Sequence, residues 1–145
     1  MHTVKPILLV EDNEDDVFFM KRAAKTAEIA DPLLVATDGQ EAIDFLSGTG
    51  IYADRDKYPI PSLVLLDLKL PRKSGHEVLQ WIRAQSQFKT LIVIILSTSR
   101  EGRDVELAYQ SGANSYLVKP TGSPQLTEMA RSLKDYWLKQ NVFAP

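Results

Sequence analysis

The chain of 145 residues contains no cysteine. That absence excludes disulfide staples and thiolate metal sites and fits a reducing cytoplasm. There is no surplus of positive charge either: 17 Lys and Arg stand against 19 Asp and Glu, a formal net charge of -2. Nucleic-acid binding would call for a basic stripe, which this balance does not supply. No apolar run approaches the ~20 residues of a membrane-spanning helix. The segment Met1 to Pro6 lacks the apolar core of a signal peptide. Repeats, low-complexity tracts and inter-domain linkers are also missing. What the chain does have is 44% hydrophobic and 25% charged residues, the make-up of one soluble domain with an ordinary core.

Short apolar runs alternate with stretches of helical period. Ile7 to Val10, Leu33 to Ala36, Leu63 to Leu66, Leu91 to Leu96 and Ser115 to Val118 read as strands. Between them, Val17, Met20 and Ala24, then Ala42, Ile43 and Leu46, then Val78, Leu79 and Ile82, recur at helical spacing. Val105 to Tyr109 falls in a fourth helix that stops near Gly112, and Leu126, Met129, Ala130, Leu133 and Trp137 stripe a fifth. Asn13 is a fitting cap for the first helix, with acids behind it at the positive end of the dipole. Ser123 and Pro124 predict the start of the last helix, serine as cap and proline as first helical residue. Ser47 to Ser62 reads as one long irregular segment. A strand followed by a helix, five times over, predicts an α/β fold: a doubly wound parallel sheet covered by helices on both faces, with ligands at the carboxyl ends of the strands.

Those ends are where the chemistry gathers. The first strand runs into Glu11 and Asp12, the third into Asp67, the fourth into Ser97 and Thr98, the fifth into Lys119 and Pro120. On one sheet edge, three carboxylates would face a hydroxyl and an ammonium. Carboxylates this close repel one another in a partly dry crevice. A hard divalent cation offsets that repulsion, and Mg²⁺ accepts such oxygen ligands while keeping several waters. Holding a divalent cation beside a phosphoryl group is the use that best fits the set. His2 and His76 have no spacing suggestive of a metal site and read as surface residues.

The set Glu11-Asp12, Asp67 followed by Pro71 and Gly75, Ser97, and Lys119-Pro120 resembles the receiver domain of two-component response regulators. The resemblance runs from Ile7 to about Trp137. It implies the flavodoxin-like strand order 2-1-3-4-5 flanked by five helices, for which a receiver is a standard example. It implies a single receiver domain over 1–145, with a core at about 5–138, a short tail at 139–145 and no effector domain. It also implies that Asp67 is the phosphoacceptor and takes a phosphoryl group from a sensor histidine kinase. Asp12 and Asp67 would ligate Mg²⁺, or Mn²⁺ in its place, with the backbone carbonyl of Lys69, and with Glu11 acting directly or through water. Lys119, Ser97 and Thr98 would meet the phosphoryl oxygens. Ser97 and Tyr116 would form the switch, Tyr116 moving from an outward to an inward rotamer. The Lys119-Pro120 bond is expected cis, aiming the lysine into the crevice.

Glu-Asp at the first strand departs from the commoner Asp-Asp. Thr98 stands where the family usually has alanine or glycine, and its bulk at the mouth of the site is expected to limit attack by water or by a phosphatase. Thr121 replaces a common phenylalanine. The Ser-Thr-Ser after the fourth strand, the Leu65 to Gly75 stretch, the extended Ser47–Ser62 segment and the Asp135 to Leu138 helix end resemble the small regulators paired with bacterial, notably cyanobacterial, phytochrome-type kinases. The apolar Tyr136, Trp137, Leu138, Val142 and Phe143 predict either a homodimer or kinase contact, or a tail folded on its own domain.

Two other functions fit the fold class. A metal-dependent aspartyl phosphohydrolase would need a second aspartate two positions after Asp67 as general acid, and Lys69 stands there. A flavin-binding module would need a Ser/Thr/Gly-rich phosphate loop after the first strand, where this chain has Glu11 to Asp16.

Overall fold

A computed structural model describes residues 5–145; His2 lies outside them. The strands are β1 (Ile7–Val10), β2 (Leu33–Ala36), β3 (Leu63–Leu66), β4 (Ile92–Ser97) and β5 (Ser115–Val118). They form one parallel sheet in the order β2-β1-β3-β4-β5. The helices are α1 (Glu14–Thr26), α2 (Gly39–Ser47), α3 (Gly75–Ala84), α4 (Gly102–Gln110) and α5 (Ser123–Leu133).

The two-residue period of the strands divides the core into two layers. Leu8, Val10, Val64, Leu66, Val93 and Ile95 pack with α2, α3 and α4 through Phe45, Leu46, Val78, Leu79, Ile82 and Ala108. Ile7, Leu9, Leu63, Leu65, Ile94 and Leu96 pack with α1 and α5 through Met20, Ala23, Ala130 and Leu133. Because both faces are covered, β1 and β3 are buried along their whole length, which explains why their sequences are continuous apolar runs rather than alternating ones.

Local chemistry fixes the helix starts. Asn13 Oδ1 accepts from the amide of Asp16 at 2.9 Å, and Ser74 forms a reciprocal capping box with Glu77 at the head of α3. The start of α5 lies one residue earlier than the sequence predicts. Gly122 is the cap, Ser123 is already helical, and the Ser123 hydroxyl instead accepts from Arg22 Nη2 at 2.9 Å. A long-range partner outcompetes the local amide here. At Gly75 an added Cβ would lie 2.1 Å from the backbone oxygen of Asp67, so only glycine lets α3 start this close to the end of β3.

The Ser47–Ser62 segment is ordered by specific contacts rather than being irregular throughout. Gly48 closes α2 at φ 75°, and Gly50–Ala53 makes a 3₁₀ turn. Arg55 then reaches back, Nη1 donating to the Phe45 carbonyl at 2.7 Å and Nη2 to the Leu46 carbonyl at 2.8 Å. Both carbonyls belong to the last turn of α2, where the intrahelical ladder runs out. Phe45, Tyr52 and Tyr58 pack ring to ring at 4.9–5.9 Å.

Beyond α5 the chain widens into π-type turns over Lys134–Gln140. Trp137 and Leu138 pack on the α1/α5 layer, whereas Tyr136 is exposed and meets Trp137 edge to face at 4.9 Å. Phe143 returns toward the amino ends of the strands, where it lines a cavity with Ile60, Phe88, Leu91 and Leu138. Much of the apolar tail is therefore folded on its own domain. No helix among the described residues is long and apolar enough to cross a membrane.

Candidate functional site

Sheet register carries the backbone of each site residue into place. Val10 pairs with Leu66, and the ladder continues one step past both strands. The Asp67 amide donates to the Val10 carbonyl at 3.1 Å, and the Glu11 amide to the Ala36 carbonyl at 3.0 Å. On the other side Ser97 pairs with Val118, and the Lys119 amide donates to the Ser97 carbonyl at 2.8 Å. Acids and lysine thus sit on hydrogen-bonded backbone at one rim of the sheet, as expected.

Lys119 is the hub. Its ammonium donates to Glu11 Oε1, to Asp16 Oδ2 at 3.2 Å and to Asp67 Oδ2 at 3.3 Å. The second Asp67 oxygen accepts from the Leu68 amide at 2.7 Å, which fixes the carboxylate plane. Glu11 is 2% exposed and Asp67 9%. Burial, and then the charge of Asp67, push the Glu11 carboxyl up to about 7 in spite of its bond to Lys119. Burial alone would depress the Lys119 ammonium, but the Glu11 hydrogen bond and the charges of Asp67 and Glu11 outweigh it and hold Lys119 above its ordinary range.

Glu11, Asp12 and Asp67 each offer a carboxylate oxygen, and these oxygens all lie within 4.8 Å of one another. Such a hard anionic donor set fits a divalent ion of the Mg²⁺ or Mn²⁺ kind, and a group of three acids leaves positions for water or a substrate oxygen. Lys69 is exposed in the loop after Asp67.

Ser97 is almost wholly buried, and its hydroxyl accepts from the Ser99 amide at 3.2 Å. Thr98 is exposed and lines a cavity of about 340 Å³ together with Lys119, Glu11 and Asp16. Tyr116 is half-buried, and its hydroxyl donates to the Ser99 carbonyl at 2.9 Å. The ring is thus already seated on the loop after β4.

Two expectations are corrected. There is no cis peptide among the described residues, so Lys119-Pro120 is trans. The lysine reaches its carboxylates without the isomer change, and trans is the lower-energy form of an X-Pro bond. His76 is not a surface residue. Both its ring nitrogens are buried without a hydrogen-bond partner, and Nε2 lies 3.7 Å from Asp104 Oδ1.

Asp16 was not singled out from the sequence. The available signal was its place in the first turn of a helix capped by Asn13, because helical side chains lean back toward the N-terminus and so toward the crevice.

Comparison with known proteins bears on the whole chain. Residues 7–131 match the response regulator receiver domain family. The response regulator Rcp1 of Synechocystis is 37% identical over 93% of this chain and 90% of its own length. The crystal structure of the phosphorylated cyanobacterial phytochrome response regulator RcpA superposes with a TM-score of 0.90 at 32% identity, covering 99% of this chain and 100% of that one. The Mn²⁺-bound form of Rcp1 gives 0.86 at 35% identity, over 97% and 99% respectively. With its strand order, its acidic rim and its lysine all in place, this chain belongs to the response regulator receiver domain family.

Proposed function

We propose that the chain accepts a phosphoryl group on Asp67 from a histidine of a sensor kinase, with Mg²⁺ held by Glu11, Asp12 and Asp67 and a further contact from the Lys69 carbonyl. The observation that carries this reading is the Lys119 ammonium 3.3 Å from the Asp67 carboxylate, on a rim where two further acids stand within 4.8 Å.

An Asp67 oxygen attacks phosphorus, the P–N bond to the donor histidine breaks, and its electron pair stays on the imidazole. The Leu68 amide holds the other Asp67 oxygen and so aims the attacking one. Lys119 places positive charge where the transferred oxygens gain negative charge. Its donors are engaged by Glu11, Asp16 and Asp67 at rest, so an incoming phosphoryl oxygen takes over one of those contacts. The bound ion would supply the remaining charge neutralisation. Ser97 meets the phosphoryl group from the end of β4, Thr98 stands at the mouth, and Tyr116 follows the loop as it moves. Only a few kcal/mol need separate the two conformations.

The phosphohydrolase reading is disfavoured by Lys69 at the general-acid position and by the family match. Support for a phytochrome-type kinase as donor comes from the similarity to the cyanobacterial phytochrome response regulator RcpA. The Mn²⁺-bound relative supports a divalent ion in the pocket. We also propose homodimerisation through the α4-β5-α5 face or the C-terminal tail, with Tyr136, Trp137 and Phe143 as contact residues of the tail; sedimentation of Phe143→Asp with a mass unchanged from the wild type would remove the tail route.

Incubation with Mg²⁺ and acetyl phosphate, followed by intact mass, tests the chemistry. A transient gain of one phosphoryl group by the wild type and none by Asp67→Asn is expected. Equal gain in both would overturn the assignment.

A further inference from the structure

Ser99 ties together more of the switch region than its loop position suggests. Its amide donates to Ser97 Oγ at 3.2 Å, and its carbonyl accepts from the Tyr116 hydroxyl at 2.9 Å. Its own hydroxyl donates to Asp104 Oδ2 while accepting from the Glu101 amide at 3.3 Å. The cap residue of α4, Glu101, makes no side-chain capping bond. The start of α4 is therefore held through Ser99 and Asp104 instead. Asp104 lies in the first turn of α4, and its other oxygen is 3.7 Å from His76 Nε2, on α3. The Ser99 hydrogen bond first, and then the neighbouring imidazole, hold the Asp104 carboxyl below its ordinary value. His76 has no hydrogen-bond partner for either buried ring nitrogen, which a buried polar group rarely tolerates. The Asp104 carboxylate stands beside it, just past hydrogen-bond distance.

We propose that Asp104 is a positioning residue for the phosphoryl switch: through the Ser99 hydroxyl, and backed by His76, it latches the segment that carries both the Ser97 contact and the seat of Tyr116. This rests on the reading of Ser97 and Tyr116 as the moving parts. Neither Asp104 nor His76 is one of the three acids of the rim, and the latch acts on the loop after β4. Ser99 meets Ser97 and Tyr116 through its backbone and the head of α4 through its hydroxyl, so releasing the hydroxyl loosens the segment on which the other two contacts sit. A carboxylate acceptor makes that bond stronger than a neutral one.

The test is ¹⁹F NMR of protein labelled with 3-fluorotyrosine, with the Tyr116 signal assigned by Tyr116→Phe. In resting protein, Ser99→Ala and Asp104→Ala are expected to lower the ratio of seated to unseated Tyr116 about tenfold. Ser99→Thr, which keeps the hydroxyl, is expected to retain the wild-type spectrum, an outcome that a general loss of packing would not give. Asp104→Asn keeps an acceptor oxygen without the charge and should fall between, which covers the case of an alanine variant that does not fold. An unmoved Tyr116 signal in the folded Ser99 and Asp104 variants overturns the latch. A wild-type Tyr116 signal that ignores Mg²⁺ and acetyl phosphate while Asp67 gains mass overturns the switch reading instead.

Discussion

The Lys119 ammonium lies 3.3 Å from Asp67 Oδ2, although 52 positions separate the two residues in sequence. Sheet register sets each directly after a strand end, and the long lysine side chain crosses the intervening β4 to close the distance. The same ammonium also bonds Glu11, so one cation offsets more than one buried negative charge. Replacing it with Lys119→Met should lower stability by about 1–3 kcal/mol, below the usual cost of breaking a buried pair because Glu11 can take up a proton. Phosphoryl uptake from acetyl phosphate should slow by about 100-fold. Urea unfolding and intact-mass time courses check the two separately.

Glu11 gives the metal-free protein a pH dependence of definite sign. Its carboxyl moves from 4.5 to about 7 on folding because of burial and the Asp67 charge. The folded state then binds the proton more tightly than the unfolded one. This contribution to stability is complete below pH 4.5 and lost as pH rises through 7. Lys119, shifted upward, stays charged across that window. In chelator, the urea midpoint should fall between pH 5 and 7.5, and Glu11→Gln should flatten the fall. Divalent ions need the deprotonated carboxylate, so added Mg²⁺ should stabilise most above pH 7.

Thr98 stands exposed at the cavity that Lys119 and Glu11 line. Thr98→Ala should widen the path for water and shorten the lifetime of the phosphoryl group several-fold at unchanged uptake. A lifetime that is equal or longer, followed by intact mass after removal of the donor, would count against this role.

Gly75 links stability to the site. A methyl there would meet the Asp67 backbone oxygen at 2.1 Å, and backbone cannot yield as a side-chain tip would. Gly75→Ala should cost about 2 kcal/mol or more and displace Asp67. The urea midpoint and the rate of phosphoryl uptake should therefore fall together, whereas an alanine that simply fitted would change neither.

Most of the fold could be read from the chain because its signals are local. Apolar runs, the Asn13 cap and the acids directly after strands depend on near neighbours. What escaped depends on partners far away in sequence. Asp16 joins the site only because Lys119 arrives from β5. His76 resembles any helix-start residue until α4 sets Asp104 beside it. Ser123 has the chemistry of a cap, but Arg22 engages its hydroxyl. The order within Ser47–Ser62 hangs on Arg55 finding the end of α2, and no periodicity signals that.

Alternation along β1 assigns Leu9 to the layer of α1 and α5 and Val10 to the layer of α2, α3 and α4. Glu11 and Asp12 come next, just past the end of the strand that separates those two hydrophobic bodies. A change of charge at this hem needs no passage through the sheet to be felt on either side, and both flanks of the molecule become eligible to announce it.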